Sequence, residues 1–158
     1  MIKDGRMEIV ATGRTLESIL EQILSPMNCN NIYGGSLLID TNGHTDIQSY
    51  VGTILSRSGV PFIDVDLPNQ DIYESVTMLL NYNTGDNCFD NVFKAIVISG
   101  VELVETSRRC EVRDLSKDIR RMEQYGELRK GIGVIVISNS TTPDYYRRQF
   151  DTVIDIIA

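Results

Sequence analysis

Apolar residues recur at intervals of three and four positions in three separate stretches of the chain, which is the period of an amphipathic helix. These stretches lie at residues 16–24, 47–55 and 72–80. A more polar segment at 116–130 is predicted to form a fourth helix, with Ser116 as its N-cap. The inner face of that helix would consist of Ile119, Met122 and Leu128. The pattern therefore predicts four helices that each bury one side.

Short, mostly apolar runs alternate with these helices, as is typical of strands buried on both faces of a sheet. They are LLI at 37–39, PFIDVD at 61–66, KAIVI at 94–98, IGVIVI at 132–137 and TVIDII at 152–157. Such strands, alternating with amphipathic helices, predict an α/β fold with a parallel sheet in a three-layer αβα sandwich. We expect a single domain over residues 1–158, with an N-terminal helix and linker at 1–34 and the core at 35–158.

Length and charge narrow the class of protein. The 158 residues, of which 42% are hydrophobic, suffice for one domain with a sizeable core. The net charge of −7 disfavours binding to nucleic acid or to an anionic membrane surface. The start of the chain does not resemble a signal peptide, and no apolar run approaches the roughly 20 residues that a membrane span requires. The sequence therefore predicts a soluble, cytoplasmic protein.

Cysteine and histidine offer little material for a metal site. Cys29, Cys88 and Cys110 lie far apart and the chain has one histidine, so no Cys/His zinc site is expected. The three thiols are interpreted as reduced and structural. No metal and no cofactor are predicted.

Three segments, in their order and spacing, carry a resemblance to a known family. They are LLIDTNGHTDIQSYVGTILSRSGVPFIDVDL, KAIVISGVEL and GIGVIVISNSTTPDYYRRQFDTVIDI. Over roughly residues 12–158 they resemble the core of AAA+ ATPases. The first is similar to the family's stretch from first to second strand, the second to its Walker B strand, and the third to its sensor-1 strand, arginine-bearing connector and last strand. The resemblance implies a P-loop NTPase-like sheet of five parallel strands in the order 5-1-4-3-2.

The positions that this family uses for nucleotide chemistry hold other residues here. Asp46 and Ile47 stand where the P-loop has Lys and Ser/Thr, and Ser99 and Gly100 stand where the Walker B strand has its acidic pair. A carboxylate at the phosphate position repels phosphate, although an acid at a helix N-terminus also favours the helix dipole. The degenerate nucleotide site is predicted to comprise Gly43, His44, Thr45, Asp46, Ile47, Ser99, Gly100 and Asn139, the last matching sensor 1. The chain also ends where the family begins its helical lid, so we expect a pseudo-ATPase with no catalytic residue.

Six arginines are candidates for docking a partner protein. Arg147 and Arg148 match the region in which the family places an arginine finger, which acts on a neighbouring subunit's nucleotide. Two basic pairs add the candidates Arg108, Arg109, Arg120 and Arg121. Solvated surface balanced by acidic neighbours is the alternative interpretation of each pair.

Together these features predict a catalytically inactive AAA+-like protein that acts as a regulatory interaction module. Its expected role is inhibitor or adaptor of an AAA+ ATPase or its client, of the kind that a phage or mobile element encodes. One alternative is a structural subunit that assembles into a homo-oligomer. Another is a residual nucleotide-binding protein that uses Gly43, Thr45 and Asn139, with Glu102 as a substitute base.

Overall fold

The computed structural model describes residues 2–3, 6–44, 47–83 and 93–157. Within them the chain forms seven strands, five α-helices and a 3-10 turn at Val101–Leu103. The strands are β1 (Ile2–Lys3), β2 (Arg6–Ala11), β3 (Ser36–Asp40), β4 (Phe62–Asp66), β5 (Ala95–Ser99), β6 (Gly133–Ser138) and β7 (Thr152–Ile156). The helices are α1 (Leu16–Leu24), α2 (Gln48–Arg57), α3 (Ile72–Tyr82), α4 (Thr106–Gln124) and α5 (Asp144–Arg147).

The α/β class with a parallel sheet is confirmed, but the predicted five-stranded sheet is wrong. The strands lie in the order β1-β2-β7-β3-β6-β5-β4, and only the short β1 runs antiparallel to its neighbour. Without β1 the sheet has six parallel strands, which in chain order are arranged 1-6-2-5-4-3. The additional strand is β2, which pairs in parallel with β7 from Met7 opposite Thr152 to Ala11 opposite Ile156.

The strand β2 lies within the stretch that was predicted to be an N-terminal helix and linker. Its side chains alternate, since Ala11 is fully buried and Ile9 packs against the core while Val10 is 61% exposed. This alternation marks a strand with only one covered face, unlike the continuously apolar central strands. The strand therefore contains no continuous apolar run by which the sequence could indicate it.

Helix α4 begins at Thr106, well before the predicted start, so Ser116 lies inside the helix and is not its N-cap. The buried stripe starts earlier too, with Val112 and Leu115 preceding Ile119 at helical spacing. Leu128 is buried as predicted, but it follows the end of the helix. Because many charged residues lie between these apolar positions, the hydrophobic pattern does not predict the first turns of α4.

The core has two parts, one on each face of the sheet. Successive residues of β3 point to opposite faces, so Leu38 belongs to one cluster while Leu37 and Ile39 belong to the other. The first cluster includes apolar residues of α3, α4 and α5, and the second includes those of α1 and α2. No helix among the described residues is both long and apolar enough to cross a bilayer.

Candidate functional site

Polar side chains gather where the central strands β3, β6 and β7 reach their carboxyl ends, the edge at which parallel sheets commonly bind ligands. Asp40 is the last residue of β3 and lies in register with Ser138 of β6 and Asp155 of β7. Two carboxylates therefore stand side by side on neighbouring strands. The loops that follow these strands supply the groups that contact the two carboxylates.

The carboxylate of Asp40 is fully buried and is met by four donors. Its Oδ1 accepts the backbone N–H of Asn42 at 3.0 Å. Its Oδ2 accepts the backbone N–H and the hydroxyl of Thr142, both at 2.8 Å, and lies 3.4 Å from Nη1 of Arg147. Such charge-assisted bonds satisfy the buried carboxylate without any external ligand.

Arg147 joins the two carboxylates. Its side chain is only 12% exposed, and its Nη2 lies 3.1 Å from Oδ2 of Asp155. Asn42 completes the arrangement, because its Nδ2 donates to Asp155 Oδ1 at 2.7 Å and to a main-chain carbonyl of β7 at 3.0 Å. We call the group Asp40, Asn42, Thr142, Arg147 and Asp155 the carboxylate network. It carries two carboxylates against one guanidinium.

The loop after β3, which the sequence resemblance predicts to take the place of a P-loop, uses its own backbone amides internally. The N–H of Asn42 donates to Asp40, that of Gly43 to the hydroxyl of Thr41 at 3.3 Å, and that of His44 to the carbonyl of Thr41 at 2.9 Å. Asn42 and Gly43 take left-handed conformations with φ of 51° and 77°, which closes this tight turn. The three amides are therefore occupied, whereas a phosphate cradle requires amides that point outward.

Among the other predicted positions of the nucleotide site, Ile47 and Asn139 are described by the structure. Ile47 is 2% exposed and belongs to the core beneath α2. Thr45 and Asp46 lie outside the described residues. Asn139 is exposed at the end of β6, and its side-chain oxygen accepts the hydroxyl of Thr41 at 3.2 Å.

The end of β5 offers no carboxylate at the two predicted Walker B positions. Ser99 is buried and its hydroxyl donates to the carbonyl of Val65 at 3.4 Å. Gly100 has φ of 79°, and a Cβ placed on it would lie 2.5 Å from Cδ of Pro68. Both residues are therefore explained by packing and backbone geometry at the junction between β5 and the 3-10 turn.

The structure separates the six candidate docking arginines by exposure. Arg108 is half-buried and donates to the carbonyls of Leu67 and Gln70. Arg109 is also half-buried, and its Nε donates to the carbonyl of Val104 at 3.1 Å. These guanidiniums hold main-chain segments together at the carboxyl end of the sheet.

Arg120 is tied into the fold as well. Its Nη1 lies 2.9 Å from Oε1 of the buried Glu123, and it also donates to the carbonyl of Ile132. Burial lowers the pKa of the Arg120 guanidinium, while nearby Glu123 acts in the opposite direction. Arg121 and Arg148 are the exposed members of the set, and Arg121 pairs with an aspartate at 2.9 Å. No ion pair of Arg148 is found among the described residues.

A narrow cleft lies beside the carboxylate network, between the 3-10 turn, the start of α4 and the connection from β6 to α5. Glu102, Arg109, Cys110, Ser140, Tyr145 and Tyr146 are among the residues that line it. Its interior holds about 30 Å³, room for roughly two water molecules. The hydroxyl of Tyr146 donates to the carbonyl of Arg109 at 3.1 Å, and burial raises the pKa of Tyr146.

Glu102 is the unusual member of the cleft wall. Its Oε2 is buried and accepts no hydrogen bond from the residues that the structure describes. From the sequence, Glu102 is predicted only as a substitute base of a residual nucleotide site. In the structure Glu102 is one of the residues that line the cleft.

The carboxylate network itself was not predicted from the sequence. One signal was present, because Asp40 directly follows the first predicted strand and Asp155 interrupts the last one. An aspartate inside an otherwise apolar strand requires a buried partner. That Arg147 is this partner emerges only when β3, β7 and α5 are brought together.

Among the described residues no group of three or more histidine, cysteine, aspartate or glutamate side chains is placed to hold a metal ion.

No protein-family model matches the chain, and no curated protein matches it either.

Proposed function

We propose that this protein is an AAA+-like α/β module without nucleotide chemistry, which acts by binding another protein. In this proposal it is an inhibitor or adaptor of an AAA+ ATPase or of the client of one. It is not an enzyme, and its docking surface includes exposed arginine side chains.

The arrangement of strands supports the AAA+-like part of the proposal. When β1 and β2 are set aside, the remaining strands are neighbours in the order β7-β3-β6-β5-β4. Counted among themselves, these strands follow the order 5-1-4-3-2 that the resemblance implies. In such a sheet the loop after β3 corresponds to the P-loop and the end of β5 to the Walker B position.

The observation that carries the proposal is the internal use of the loop that corresponds to the P-loop. A phosphate in this place would have to break the bonds of the Asn42, Gly43 and His44 amides, each worth about 1 kcal/mol net. It would also approach Asp40 and Asp155, and two like charges about 4 Å apart repel by about 4 kcal/mol near a protein surface. Arg147 is already engaged by these two carboxylates and offsets only part of this cost.

Among the candidate arginines, Arg148 is best placed to bind a partner. It is exposed, and no ion pair holds it within the described part of the chain. Arg147, next to it, is internal. The proposal therefore assigns partner docking to Arg148 and structural support to Arg147.

Calorimetric titration with ATP and Mg²⁺ tests the loss of nucleotide chemistry. We expect no binding heat up to about 1 mM nucleotide, which corresponds to a binding free energy weaker than about −4 kcal/mol. Binding at micromolar concentration would overturn the proposal in favour of a residual nucleotide-binding protein.

Affinity capture with mass spectrometry tests the interaction. The tagged protein, Arg148→Ala and Arg14→Ala would be compared, because Arg14 is an exposed arginine just before α1 and serves as the matched control. We expect an AAA+ ATPase with the wild type and with Arg14→Ala, and a reduced amount with Arg148→Ala. Capture without any ATPase contradicts the proposal, and recovery of only the protein's own copies favours a self-assembling subunit.

A further inference from the structure

We propose that a pocket at the amino ends of β5 and β6 binds an acidic peptide segment of the partner protein. The pocket lies between the segment that follows α1, the end of α3 and the residues that lead into β5 and β6, and it holds about 350 Å³. We call it the basic pocket, after Lys94, Arg129 and Lys130, which line it. Because a protein partner belongs to the proposed function, this role of the pocket rests on that function.

The cations of the basic pocket come from two parts of the chain. Lys94 directly precedes β5, whereas Arg129 and Lys130 lie in the connection from α4 to β6. The pairing of these strands brings the two parts together, since the N–H of Gly133 donates to the carbonyl of Lys94 at 2.8 Å. None of the described residues that line the pocket is acidic, and within the described ranges no ion pair of the three cations is found. These residues therefore place three positive charges together in a chain whose net charge is −7.

Asn83, a buried residue at the end of α3, holds the wall of the pocket in place. Its side chain accepts the N–H of Phe93 at 2.9 Å and donates to the carbonyl of the same residue. Its own carbonyl accepts the N–H of Arg129 at 2.9 Å. The main chain beside the cations is thus fixed before a ligand arrives, which lowers the entropy lost on binding.

The backbone of the pocket favours separate carboxylates over a phosphate group, which is typically bound by several main-chain N–H groups. The N–H groups of Lys94 and Arg129 donate to main-chain carbonyls. That of Gly131 donates at 2.6 Å to the carboxylate of Glu123, which is itself paired with Arg120. The cationic side chains therefore remain as donors. Lysine ammonium groups on flexible stems can each meet a different carboxylate along a peptide.

The rest of the lining suits the apolar part of a peptide. Pro26 and the aromatic residues Tyr33 and Phe93 line the pocket. Phe93 packs edge-on against Tyr82, with ring centroids 5.6 Å apart. Tyr82 is 48% exposed, and Met27, which follows Pro26, is 93% exposed. Aromatic residues, methionine and arginine are enriched in the cores of protein interfaces, so we expect the acidic segment to carry an apolar side chain as well.

The test titrates the ¹⁵N-labelled full-length protein with a short acidic peptide, acetyl-Asp-Glu-Phe-Asp-Glu-amide, and follows amide chemical shifts. The control peptide has Asn and Gln in place of Asp and Glu. The protein variants are Lys94→Gln/Lys130→Gln and the matched Arg14→Gln/Lys117→Gln, each of which removes two exposed cations. Because both variants change the net charge equally, they separate the pocket from the overall charge. Inorganic phosphate and a short oligo(dT) are titrated as competing anions.

We expect the acidic peptide to shift the amides of residues 93–95 and 129–133 and to bind about tenfold more tightly than the control peptide. Lys94→Gln/Lys130→Gln should weaken this binding at least about fivefold and Arg14→Gln/Lys117→Gln less than about twofold. Salt should weaken it further, because exposed charges are screened beyond about 8 Å at physiological ionic strength. Equal binding of the two peptides, or an equal effect of the two double variants, overturns the inference. Phosphate or oligo(dT) binding as tightly as the acidic peptide overturns the assignment to an acidic segment.

Thermal unfolding shows whether the variants keep the fold. Both exchange exposed side chains and are expected to unfold at the wild-type temperature, and the comparison of the two peptides on the wild type needs no variant. Affinity capture separates the pocket from the proposed function. If the wild type and Lys94→Gln/Lys130→Gln recover the same ATPase equally, the proposed function stands and the docking role of the pocket falls. If the acidic peptide binds as expected but no ATPase is captured, the pocket stands and the proposed function falls.

Discussion

Replacement of Asp40 by asparagine probes the carboxylate network most directly. The substitution keeps the shape of the side chain but removes the charge that faces Arg147 and the two donors of Thr142. If the amide oxygen takes the place of Oδ2 and keeps both Thr142 bonds, the amide nitrogen must face the N–H of Asn42. A donor then opposes a donor at a fully buried position.

The expected cost follows from these contacts. Removing one partner of a buried ion pair destabilises a protein by about 3–5 kcal/mol. Arg147 retains Asp155 at 3.1 Å, which places the loss near the lower bound. We therefore expect Asp40→Asn to lower the free energy of unfolding by about 3 kcal/mol, which in a domain of this size corresponds to a melting temperature about 10 °C lower.

Urea unfolding followed by circular dichroism measures this change, and two aspartate variants calibrate it. Asp155→Asn removes a carboxylate that is 32% exposed and should cost about 1 kcal/mol. Asp64→Asn removes an exposed charge on the edge strand β4 and should change stability by less than about 0.5 kcal/mol. A loss below about 1 kcal/mol for Asp40→Asn, or one no larger than that of Asp64→Asn, refutes the view that the network supports the fold.

The remaining predictions concern backbone geometry and alkaline stability. Gly100→Ala should lower the free energy of unfolding by at least about 2 kcal/mol more than Gly59→Ala does. Both glycines have positive φ, but only at Gly100 does a new Cβ meet a proline ring, at 2.5 Å. Equal melting temperatures of the two variants would contradict this. Burial raises the pKa of Tyr33 and of Tyr146 above that of an unfolded tyrosine. The contribution of the two neutral side chains to the free energy of unfolding is therefore complete below about pH 10. As the pH rises further, each residue lowers that free energy by about 1.4 kcal/mol per pH unit. Unfolding curves measured between pH 9 and pH 11 should show this decline, and a double Phe variant of the two tyrosines should flatten it.

The helices α1, α2 and α3 and the strands β3 to β7 could be predicted from the sequence because their signals are local. A buried helix face or a strand covered on both sides requires apolar residues at a spacing set by the backbone itself. Leu16, Leu20 and Leu24 show this directly, since they recur at helical spacing and are all buried. The α/β class follows from the alternation of these two patterns.

The strand β2 and the first turns of α4 were not predictable in the same way. The strand is covered on one face only and gains its hydrogen bonds from β7, which is the last strand of the chain. The first turns of α4 carry many charged residues. Their apolar side chains are buried only because the sheet and α5 pack against them. In both cases the stabilising contacts come from distant segments.

The carboxylate network was likewise decided by the tertiary structure. The sequence by itself showed that Asp40 and Asp155 stand at or within apolar strands, and that Arg147 lies in a polar connection. The parallel register of β3 and β7 places the carboxylates side by side, and α5 turns Arg147 inward between them while Arg148 stays exposed. Local periodicity determines which residues are buried, but the pairing of charges depends on distances between segments about a hundred residues apart, and these distances exist only once the sheet has formed.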